Sequence, residues 1–196
     1  MRNPVSLTAR FVLTTATAAA SALFIYVSAA AAADCQYFVR AGYQQICQGN
    51  HEQAVATLTS AVNADPSSVE ARRYLAIALL KSGLANDAAT QLEYVRRMSP
   101  GSAGDTTLLG NAYFYAGQYE KALQCYRQAL AADSRSDEAR AGLVQTYLAA
   151  GKNAAAEAAC REALKVAHNA ETRDKLESLM RGIKGDSRIA PKVLEE

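Results

Sequence analysis

The sequence predicts an all-α protein: an α-solenoid of four tandem helix-turn-helix repeats followed by a C-terminal capping helix. Three observations carry that prediction. Gly49, Gly83, Gly117 and Gly151 recur every 34 residues without one insertion or deletion. An alanine follows each glycine by five residues, at Ala54, Ala88, Ala122 and Ala156. Between these markers the apolar residues step by three and four, the period of a helix face rather than of a strand.

The chain opens with residues 1–33, which hold Arg2 and Arg10, no acid, and the uncharged run FVLTTATAAASALFIYVSAAAAA. A basic start, an apolar middle and a small-residue end resemble a secretory signal peptide, with Ala31, Ala32 and Ala33 preceding a cleavable bond at Asp34. The alternative is an uncleaved anchor, since 23 uncharged residues are long enough to span a bilayer. Much of that run is Ala and Thr, which insert weakly. Asp34 stands where a lipoprotein signal requires a small residue, so Cys35 is not read as lipidated. The expected location is therefore exported, periplasmic or secreted, with membrane attachment only if residues 11–33 are retained. Cleavage takes two of the 21 bases and none of the 19 acids. The formal charge of +2 thus belongs to the leader, the remainder is neutral, and no nucleic-acid partner is implied.

Four units follow, at 35–68, 69–102, 103–136 and 137–170. In each, a helix runs to the glycine, which ends it in the left-handed conformation. A second helix follows, where the recurring alanine allows close approach to the first. A small or β-branched residue comes twelve after each glycine, at Ala61, Val95, Ala129 and Ala163. Pro66 and Pro100 then break the first two units, with Ser134 and His168 in the later copies. Residues 171–184 carry Leu176, Leu179, Met180 and Ile183 on one stripe and read as the capping helix; 185–196 reads as a flexible tail.

The third unit carries the fullest signature: Leu109, Gly110, Tyr113, Gly117, Tyr119, Ala122, Tyr126 and Ala129. In these residues and in its 34-residue period the chain resembles the tetratricopeptide repeat family. It departs from the pattern at Gln45, where Tyr113 and Tyr147 stand in later units. It departs again at Val144, where Gly42, Ala76 and Gly110 stand earlier. Atypical end units are expected where a repeat array meets solvent.

The resemblance implies that the first helix of each unit lines a concave groove taking a protein or peptide. The side chains it would place there are Gln36, Val39, Arg40 and Tyr43; Glu70, Arg73, Tyr74 and Ile77; Thr107, Leu108, Asn111 and Phe114; and Ala141, Gln145 and Leu148. Tyr43, Tyr74 and Phe114 would be aromatic anchors, Arg40 and Arg73 donors, and Asn111 a backbone-binding amide. Arginine and aromatics are common interface hot spots. Family members that clamp a chaperone's terminal carboxylate use lysines and asparagines. The corresponding places here hold Val39, Tyr43, Tyr74, Gly104 and Leu108, so that subclass is not expected.

No phosphate-binding glycine loop, nucleophile elbow or metalloprotease motif occurs. His51 and His168 lie three repeats apart, without a cysteine or carboxylate cluster at metal-ligand spacing. The expectation is a non-enzyme without cofactor or metal: an interaction module or, alternatively, a self-associating or membrane-tethered scaffold. Cys35 and Cys47 flank one helix and stand roughly 18 Å apart along it, too far to pair. Cys125 and Cys160 sit on neighbouring second helices and leave two readings open, a disulfide or two small core residues. Cys35, next to the mature terminus, is the expected exposed or intermolecular thiol.

Overall fold

A computed structural model describes residues 33–183 and residue 185. The leader expected at 1–33 therefore lies outside the described residues except for Ala33, which is helical and exposed. Lys184 and the tail beyond Gly185 also lie outside them.

Nine helices occur among the described residues, and no strand. They are α1 (33–47), α2 (His51–Ala64), α3 (Val69–Lys81), α4 (Ala85–Met98), α5 (Ala103–Tyr115), α6 (Tyr119–Ala132), α7 (Asp137–Ala149), α8 (Asn153–Val166) and α9 (Ala170–Ile183). The fold class is the expected one, an all-α helical repeat. The chain forms two compact units, Met1–Ala71 and Arg72–Glu196, and the division falls inside α3.

Local chemistry repeats with the same period. Gly49, Gly83, Gly117 and Gly151 have φ of 80°, 76°, 72° and 70°. Each ends its helix in a Schellman turn, in which the following N–H reaches back to a carbonyl five residues earlier, as from Gln118 to Tyr113 at 2.8 Å. Helix starts are equally regular. The hydroxyls of Ser68, Ser102 and Ser136 accept from the N–H of Ala71, Asp105 and Ala139, each at 3.2 Å. Pro66 and Pro100 lie in the breaks before α3 and α5.

In the first unit, Cys35, Val39 and Gly42 form one buried face of α1, with Leu58 of α2 laid against Gly42. This overturns the expected exposure of Cys35. The helix is already formed at residue 33, so Cys35 falls at i, i+4, i+7 spacing with the core and is 2% exposed; Cys47 is the exposed thiol.

In the second unit, α4 to α9 pack each on the next, and α5 also meets α7, as α7 meets α9. The recurring Ala88, Ala122 and Ala156 are fully buried, as Ala54 is in the first unit. Tyr126 of α6 is held between two helices: a Cβ on Gly110 of α5 would lie 2.7 Å from its ring, and one on Gly142 of α7 would lie 2.5 Å away. Only glycine on both sides leaves room for so large a buried side chain. One repeat on, the volumes are exchanged. Val144 replaces the glycine and Cys160 replaces the tyrosine, and both are fully buried in a cluster with Ala141, Ala163, Leu176 and Leu179.

Cys125 and Cys160 are free, so no bridge joins them. The Cys160 thiol donates to the Leu176 carbonyl at 3.1 Å and serves the packing of α9.

Candidate functional site

The residues expected on the groove fall into three groups. Arg40 and Tyr43 lie exposed on α1, in the first unit. Val39, Thr107 and Ala141 are buried at 3%, 2% and 6% exposure, so the first two present no free side-chain surface and Ala141 presents little. Gln36 of α1 and Glu70 at the start of α3 also lie in the first unit, where Gln36 Nε2 donates to Glu70 Oε2 at 3.1 Å. The rest lie on α3, α5 and α7 of the second unit, and there the structure separates structural roles from available surface.

Arg73 is committed internally. Its Nε and Nη2 donate to the two carboxylate oxygens of Asp105 at 2.5 and 2.8 Å, tying α3 to α5 in a two-pronged ion pair. Asp105 is 6% exposed. The Arg73 guanidinium holds its carboxyl below the ordinary range, against the opposing effect of burial, and Ser102 adds to the lowering. Arg73 is thus a strut between repeats, which corrects its expected role as a donor in the groove. Tyr74 and Ile77 are half-buried on the same helix and do not line the cleft described next.

Asn111, Phe114 and Gln145 do come together. With Ala141 they line a cleft of about 330 Å³ on the faces of α5, α7 and α9. Four features of it were not anticipated from the sequence. Tyr115 contributes a 63% exposed ring beside Phe114, centroids 5.3 Å apart and nearly perpendicular. Glu138 enters from the first turn of α7. Glu171, Thr172 and Lys175 enter from α9, which lines the site as well as capping the core. Finally, the buried Tyr126 hydroxyl donates to Asn111 Oδ1 at 2.7 Å, and Asn111 Nδ2 donates to Glu138 Oε1 at 3.0 Å. This relay runs from the core to the cleft wall and fixes which way the Asn111 amide faces. Burial and the charge of Glu138 push the Tyr126 hydroxyl pKa well up, so it stays a donor.

The start of α9 is held by Asp137. Its Oδ2 accepts from the N–H of His168 and Asn169 at 2.8 and 2.9 Å, and Arg140 Nη1 lies 3.3 Å from Oδ1. Burial raises the Asp137 pKa, but those N–H groups together with the His168 side chain outweigh it and the net shift is downward. His168 Nδ1 sits 3.6 Å from the same carboxylate, a structural position. His51 lies on α2 in the other unit. Among the described residues no group of three or more His, Cys, Asp or Glu side chains could hold a metal ion, and no helix is long and apolar enough to cross a membrane.

Stacked helix pairs with a cleft on their first helices define a helical-repeat class, and the comparisons assign the family. A family model described as tetratricopeptide repeat matches residues 46–105 and 113–178, and the chain belongs to that family. Among curated protein sequences none matches. Solved structures do. A thermophilic tetratricopeptide-repeat protein of Thermus thermophilus, TTC0263, is 25% identical with a TM-score of 0.65, over 77% of this chain and 83% of its own. MamA residues 41 to the end from Desulfovibrio magneticus RS-1 are 21% identical with a TM-score of 0.65, over 68% and 75%. The first such domain of Spaghetti (RPAP3), bound to the HSP90 peptide SRMEEVD, is 18% identical with a TM-score of 0.58, over 61% and 95%.

Proposed function

We propose that this chain is an exported, non-catalytic interaction module that takes a protein or peptide segment in the cleft of α5, α7 and α9. The observation that carries the reading is the convergence of Asn111, Phe114 and Gln145, from two successive repeats, around one 330 Å³ cleft. Two rings and several polar groups at hydrogen-bonding range of a bound segment are what an interface of this size uses for anchoring and register. The family supports a protein or peptide as the ligand. The RPAP3 domain's peptide, SRMEEVD, ends in Asp. The places where the family's carboxylate clamps carry lysine or asparagine hold Val39, Tyr43, Tyr74, Gly104 and Leu108 in this chain, which argues for an internal segment instead. Export rests on the tripartite pattern of residues 1–33.

A displayed library of random peptides, selected on the full chain, tests the reading. Selected peptides should lose at least about tenfold in affinity for Phe114→Ala combined with Gln145→Ala. Peptides that bind both forms equally would place recognition elsewhere.

A further inference from the structure

The cleft also specifies what kind of side chain it receives. We infer that the segment bound there presents a lysine or arginine, whose cation enters between Glu138, Glu171 and the rings of Phe114 and Tyr115. This rests on the proposed binding cleft and adds its chemical selectivity.

The cleft lining carries two carboxylates against one ammonium, Lys175. Glu138 is oriented rather than merely nearby. The Tyr126–Asn111 relay holds its Oε1, and no hydrogen bond engages Oε2 among the described residues, so one oxygen remains to accept. Acids in the first turn of a helix ordinarily answer the helix dipole. At α9 the first-turn N–H of Glu171 is already capped by Asn169 Oδ1 at 2.8 Å, and the Asp137 carboxylate sits on the N–H groups of His168 and Asn169 just before the helix. At α7 the Ser136 hydroxyl caps the N–H of Ala139. Glu171 and Lys175 are one turn apart on α9, yet no ion pair joins them among the described residues. The carboxylates thus face the cleft without an internal cation bound to them. The two rings supply the second half of the match, since an aromatic face attracts a cation and packs its aliphatic stem. A carboxylate ligand would meet two like charges here, and a purely apolar one would desolvate both glutamates without supplying a countercharge.

The test uses the peptides selected above, measured by fluorescence anisotropy against the full chain, each beside a version with every Lys and Arg changed to Gln. The expected result is enrichment of Lys or Arg, a loss of about tenfold on that change, and a similar loss for Glu138→Gln combined with Glu171→Gln. Glu138→Gln keeps an oxygen for Asn111, and its thermal unfolding checks that the fold is intact. Lys175→Ala should tighten the basic peptides, and added salt should weaken them. Peptides that need Phe114 but tolerate both the glutamine peptides and the glutamate variants would overturn the cation inference and leave the binding cleft standing. Peptides indifferent to Phe114, Gln145 and both glutamates would overturn the two together.

Discussion

Gly110→Ala adds one methyl group to the helix interior, where alanine is ordinarily the better residue by about 1 kcal/mol. Here the added Cβ would stand 2.7 Å from Tyr126 Cε1 and 3.0 Å from Cδ1 and Cζ. The ring cannot retreat, because on its far side the Gly142 backbone leaves only 2.5 Å to where a Cβ would be. Overpacking of a filled core costs about 1–3 kcal/mol, so after the helix gain of about 1 kcal/mol the net expectation is a loss of up to about 2 kcal/mol. For a chain of this size that lowers the thermal midpoint by up to roughly 8 °C. Circular dichroism melting of Gly110→Ala is compared with Gly104→Ala, in the same helix, where a Cβ would meet nothing within 4 Å. Gly104→Ala should be neutral or stabilising. The second repeat already pairs Ala76 with Leu92 at the equivalent positions, so in a Tyr126→Leu background the cost of Gly110→Ala should disappear. A Gly110→Ala protein as stable as the Gly104→Ala protein would refute the close approach of these helices.

Removing the strut by Arg73→Ala strands the buried Asp105 carboxylate and should cost about 2 kcal/mol in urea unfolding, with part recovered in Arg73→Ala/Asp105→Ala. The pH dependence has a definite sign. Arg73 depresses the folded-state pKa of Asp105, so its contribution is complete above the unfolded value near 3.8 and is lost as pH falls through the lower folded value. Acid titration of stability should therefore flatten below pH 4 in the Arg73→Ala variant. Ser102→Ala and Ser136→Ala each remove a helix cap and should cost about 1 kcal/mol by the same assay. Of the four cysteines only Cys47 is exposed, and burial pushes the Cys125 thiol up to about 11. One thiol should react with a disulfide reagent at once in the native protein, and the other three only on unfolding.

What can be read from the sequence are features that every repeat needs. A turn glycine and a close-approach alanine are demanded by local backbone and packing, so they recur with the period and stand out without coordinates. The serine caps at 68, 102 and 136 share that period and are legible in the same way. The exposure of Cys35 is not, because whether the residue already belongs to α1 decides its burial, and the alanine-rich run before it gives no sign of where that helix starts. Pairings between repeats are not legible either. Nothing local to Arg73 says that its partner is Asp105 rather than a ligand, since the two are 32 residues apart and meet only once α3 and α5 are packed. The cleft is half legible: its residues on α5 and α7 follow from repeat position. Glu171, Thr172 and Lys175 escape a reading of α9 as a cap alone, though that helix continues the series of first helices.

The α5, α7 and α9 face is the proposed binding site for a protein segment. Titration of the isotopically labelled chain with a library-selected peptide, followed by amide chemical shifts, tests it most directly. Saturable shifts are expected at Asn111, Phe114, Tyr115, Glu138, Gln145 and Lys175, with α6 and α8 little changed on their outer faces. Shifts confined to those outer faces, with the cleft residues unmoved, would contradict it.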